Sequence, residues 1–100
     1  MKEYFTFIES SENRWFIAPK HDMFGSSHIT GSYGVLISRF FGLSWADWLK
    51  YCVQNGARLQ GKDNVYVLAI WEQPNRDFLK EINLRMNEIA KHIDVKELKY

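Results

Sequence analysis

Two histidines, an aspartate, three glycines and four aliphatic hydroxyls crowd into HDMFGSSHITGSYG, residues 21–34. Its far end runs into an amphipathic stretch, so the stretch borders a helix N-terminus, where free N–H groups and the helix dipole favour an anion. Gly31, Ser32 and Gly34 would let a phosphate or carboxylate approach the backbone, with Lys20 or His28 supplying charge. These five residues define a candidate small-ligand or phosphate site in the 19–34 loop. The competing reading is a connector and helix cap, which need the same small and hydroxylated residues. The glycines fit neither a P-loop, which requires Gly-Lys followed by Ser or Thr, nor G-x-G-x-x-G after a strand.

The same loop offers metal donors in His21, Asp22 and His28, with His92 far along the chain. None of these pairs has the i, i+4 spacing by which a helix presets two ligands. The expectation is therefore no metal and no cofactor. Cys52, the only cysteine, excludes an internal disulfide and zinc ribbons. A nucleophilic cysteine needs exposure, a nearby histidine and often a helix start. Cys52 instead falls within an apolar stripe beside Trp48 and Leu49, the setting of an inert thiol. G-x-S-x-G and H-E-x-x-H are both missing, so no catalytic residue is assigned.

Thirteen basic against twelve acidic residues leave a net charge of +1, too even for a dedicated duplex binder. Single-stranded nucleic acid is the better polymer alternative, since it needs aromatic platforms beside cations. Arg14-Trp15-Phe16, Arg39-Phe40, Lys50-Tyr51 and Lys62 with Tyr66 juxtapose those types, and Arg58 adds a further cation. The candidates on this reading are Arg14, Arg39, Lys50, Arg58 and Lys62. Most of the aromatics, however, fall on expected core faces.

Aromatic residues make up 16% of the chain, and such residues dominate binding hot spots as well as cores. Val35 and Leu84 lie opposite the apolar stripes of their helices, and Tyr51 lies at the margin of its own. Together with Met23 and Phe24 from the loop they are the candidate interface residues. The leading expectation is a non-catalytic binding protein of regulatory, adaptor or inhibitor type, engaging another protein or a second copy of itself.

The elements that must position these groups follow from periodicity. YFTFIE and RWFIAP are β-branched and aromatic, and SSEN between them supplies a turn, which predicts a hairpin ending at Pro19. Tyr33, Leu36, Ile37, Phe40 and Phe41 form a helical stripe that Gly42 ends. Trp45, Trp48, Leu49, Cys52 and Val53 repeat it behind Ser44 and Asp47, and Asn55-Gly56 closes that helix. ARLQ and VYVLAIW predict a second hairpin with its turn at Gly61–Asn64, and the apolar run Val65–Trp71 predicts a central strand. Asn75 caps a last helix whose stripe is Phe78, Leu79, Ile82, Met86, Ile89 and Ile93. The last residues, DVKELKY, suit a turn of helix or a short strand.

The order is β-β-α-α-β-β-α. The simplest assembly is an α+β two-layer sandwich, an antiparallel sheet of about four strands covered by three helices. One hundred residues suffice for one domain, and this one is expected over 1–100 without disulfide or metal. The apolar runs are too short to span a membrane, and the first residues do not read as a signal peptide, which predicts a cytoplasmic protein.

Overall fold

The computed structural model describes residues 2–10, 12–20, 33–61 and 67–94, with side chains from residue 37 onward in the first helix. Strands β1 (Phe5–Glu9) and β2 (Trp15–Pro19) are followed by α1 (Tyr33–Phe40) and α2 (Trp45–Gln54). Strands β3 (Arg58–Gln60) and β4 (Leu68–Ile70) come next, then α3 (Arg76–Ala90). The mixed composition and the element order are those expected from periodicity.

The sheet differs from expectation. β1 pairs antiparallel with β2 in a register that sets Phe7 opposite Ile17, and β3 pairs antiparallel with β4 with Leu59 opposite Ala69. These are two separate two-stranded sheets, not one sheet of four. They touch at one isolated bridge, where Trp15 and Trp71 exchange both backbone hydrogen bonds at 2.8 Å. Pairing toward β4 uses the outer edge of β2. Lys20 N–H donates to Tyr4 C=O, so alternate residues of β2 turn to β1 while Trp15, Ile17 and Pro19 turn the other way. Past the Trp15–Trp71 bridge the next outward residue, Ile17, makes no rung with β4, and Pro19 beyond it has no N–H to give. Of the predicted Val65–Trp71 run, β4 takes Leu68–Ile70, Val65 and Tyr66 lie outside the described residues, and Leu68 is exposed.

The helix boundaries follow local chemistry. Ser44 Oγ accepts from Asp47 N–H at the start of α2, and Asn75 Oδ1 accepts from Phe78 N–H at the start of α3. Gly42, after α1, and Gly56, after α2, sit at φ +67° and +96°, the left-handed region that glycine enters without steric cost. α3 stops at Ala90, one turn short of the predicted stripe, and leaves Ile93 exposed.

The core gathers Phe5, Phe7, Ile17, Ile37, Phe40, Trp48, Cys52, Trp71, Phe78, Ile82 and Met86. Trp71 sits amid the aromatics, edge-on to Phe7 at 5.3 Å and tilted against Phe78 at 5.8 Å. α3 packs on β1, α1 on β2, and α2 on β3 and β4. Asn83 and Ser38 are the buried polar residues among those described. On α3, Asn83 Oδ1 accepts from Tyr4 and Phe5 N–H, and its Nδ2 donates to Phe5 and Leu79 C=O. One amide thus occupies the outer edge of β1 as a neighbouring strand would.

Candidate interaction face

α2 divides sharply into two faces. Trp48 and Cys52 point into the core, where Cys52 is 0% exposed. Burial pushes its thiol up to about 12, so it stays protonated and non-nucleophilic at neutral pH. Val53, expected on the same buried stripe, is 47% exposed. At 100° per residue Val53 turns away from Cys52 and joins Ala46, Leu49 and Lys50, spaced i, i+3, i+4 and i+7 along the outer side.

β3 completes this outer face. Leu59, 43% exposed, closes a shallow groove with Ala46, Leu49, Lys50, Val53 and Gln54. The joint between α2 and β3 is firmly fixed. Asn55 C=O accepts from Trp71 Nε1 at 3.0 Å and from Asn75 Nδ2 at 2.9 Å, while Ala57 N–H donates to Cys52 C=O. Buried Trp71 and the α3 cap therefore hold the end of α2, and Leu59 starts from a defined position. An apolar groove on rigid supports loses little conformational entropy when it is covered.

Lys50 and Asp47 flank the groove. Both are exposed, and neither side chain makes an ion pair or hydrogen bond among the described residues. The opposite margin of α2 is polar and already satisfied. Tyr51 is half-buried edge-on to Phe78 at 5.0 Å, and its hydroxyl lies with Glu81 and Arg85. Its pKa is raised, first by burial and then by the Glu81 carboxylate, so it remains a neutral phenol. Arg85 also lies over the Phe41 ring at 4.7 Å.

Of the interface residues named from sequence, Leu84 is 48% exposed on α3 and Tyr51 lies in that half-buried cluster. Met23, Phe24 and the Val35 side chain lie outside the described residues. So do His28, Gly31 and Ser32 of the anion site, the Gly34 environment, the loop donors His21 and Asp22, and the cation Lys62. Lys20 is described, and its Nζ pairs with Glu3 at 2.6 Å, holding that carboxyl below its usual range. Among the cations, Arg14 pairs with Glu12 at 3.2 Å and also bonds Gln60, while Arg58 pairs with Glu72 at 2.6 Å. Arg39 is exposed beside buried Phe40. No cluster of three or more metal-ligating side chains occurs among the described residues. No helix among them is long and apolar enough to cross a membrane.

The α2–β3 groove is the feature that sequence reasoning missed. Val53 fits an apolar stripe with Leu49 by spacing, but the core takes the Trp48–Cys52 side of α2 and leaves Val53 outward. Leu59 carried no signal, because a three-residue strand is too short to show an alternation.

The chain matches no protein-family model, no curated protein and no solved structure, so its own geometry must carry the functional reading.

Proposed function

We propose that this chain acts by binding another protein through the apolar face of α2 and β3, in a regulatory, adaptor or inhibitor role. The observation that carries the reading is Val53 and Leu59 held open in one groove with Ala46 and Leu49, on a helix whose other face is fully packed. Contiguous exposed apolar surface with a polar rim is the usual mark of a contact site, whereas scattered single residues are not. Lys50, Gln54 and Asp47 provide that rim. The compartment that goes with this reading is the cytoplasm, where a lone thiol stays reduced.

The test is site-specific photo-crosslinking in cells that produce the chain. A photoreactive residue at Val53 should give a discrete protein conjugate, and the same residue at exposed Glu88 on α3 should not. If both positions yield the same background, the face is not a docking surface and the reading fails.

A further inference from the structure

We infer that the protein seated on this groove is a second copy of the chain, with α2 pairing antiparallel to its own copy across a two-fold axis. The inference rests on the proposed binding face and identifies its occupant. Its basis is that the face complements itself in both shape and charge.

A two-fold interface brings one surface patch against the same patch, so each feature must meet its own symmetry mate acceptably. The outer stripe of α2 runs from Ala46 at one end to Val53 at the other. An axis passing midway between them sets the small Ala46 of each copy against the larger Val53 of the other. Alanine at a helix contact also lets the two axes approach within the usual packing range.

The flanks behave consistently. By the 100° spacing, Asp47, Lys50 and Gln54 lie on one side of the stripe and Leu49 on the other, and Leu59 of β3 lines the same groove. In an antiparallel two-fold pair each flank meets its own equivalent, so Leu49 meets Leu49 and the polar flank meets the polar flank. The axis then brings Lys50 of each copy to within about 3 Å, measured along the helix, of Asp47 of the other. Two equivalent ion pairs form, using two side chains that have no such partner among the described residues of one copy. A partner of one charge sign would satisfy only one of the two.

Sedimentation velocity on the intact chain, from about 5 µM to about 500 µM, tests the inference. The chain should move from monomer to dimer across that range, and Val53→Glu should weaken the dimer at least about tenfold, as expected for a central apolar contact. Lys50→Asp and Asp47→Lys should each weaken association by placing like charges together, and the double variant should recover most of the loss. Circular dichroism confirms that each variant keeps its helices, and the recovery excludes simple unfolding. A chain that stays monomeric throughout, or a double variant no better than either single one, overturns self-pairing. If the chain is monomeric while Val53 still crosslinks to a different protein, self-pairing fails and the binding face stands. If neither association nor a conjugate is seen, both fail.

Discussion

Cys52 shows how one residue separates chemistry from packing. Its place in an apolar stripe marks it as an inert thiol, and in the fold it is fully buried with its pKa pushed up to about 12. This has a consequence for stability. The unfolded thiol ionises near pH 8.5 and the folded one near 12, so between those values the unfolded chain has lost a proton that the folded chain keeps. The stabilisation is fully present below about pH 8.5 and is lost as pH rises, by up to about 1.4 kcal/mol per pH unit. Urea unfolding followed between pH 8 and 11 should show this decline, and Cys52→Ala should remove its share. A decline of the same size in the variant would assign the effect elsewhere. Tyr51, also raised, adds loss in the same direction at higher pH.

The elements were largely legible because their signals are local. Ser44, Asn75, Gly42 and Gly56 are caps and stops whose effect depends on a few neighbouring backbone groups, and all four act in the fold where the sequence placed them. What was not legible depends on distant partners. Asn83 falls within the packed side of α3, yet its role is set by Tyr4 and Phe5, nearly eighty positions away. No periodicity marks that role. Asn83→Leu keeps the volume and deletes every hydrogen bond, stranding buried N–H and C=O groups at the edge of β1. A loss on the order of 3 kcal/mol is expected, at about 1–3 kcal/mol for each group left unsatisfied. Chemical denaturation measures it, and a change under about 0.5 kcal/mol would mean that water or a shifted strand replaces the amide.

At the scale of the whole molecule, the broken sheet and the open groove share a cause. A continuous four-stranded sheet would have placed Val65–Trp71 centrally, but the ladder between β2 and β4 ends at the Trp15–Trp71 bridge. The second hairpin is left as a small β3–β4 unit, fastened to α2 through Asn55, Trp71 and Asn75. That unit is short and exposed along β3, so Leu59 has α2 beside it and nothing above it among the described residues. The candidate site thus arises from topology, not from a motif, which is why its residue types alone gave no warning. The loop that looked most chemical, residues 21–34, lies outside the described residues up to the start of α1, and its anion-site expectation has no described surroundings against which to be weighed.

On the proposed reading, the outer side of α2 is where this chain meets a protein, and that protein is its own copy. Methyl NMR spectra recorded at increasing chain concentration report on each apolar side chain separately. Signals of Ala46, Leu49, Val53 and Leu59 should shift together and saturably, while those of Ile37 and Ile82 in the core and Leu84 on α3 should stay fixed. Shifts centred on Leu84, or spectra unchanged at every concentration, would contradict this reading.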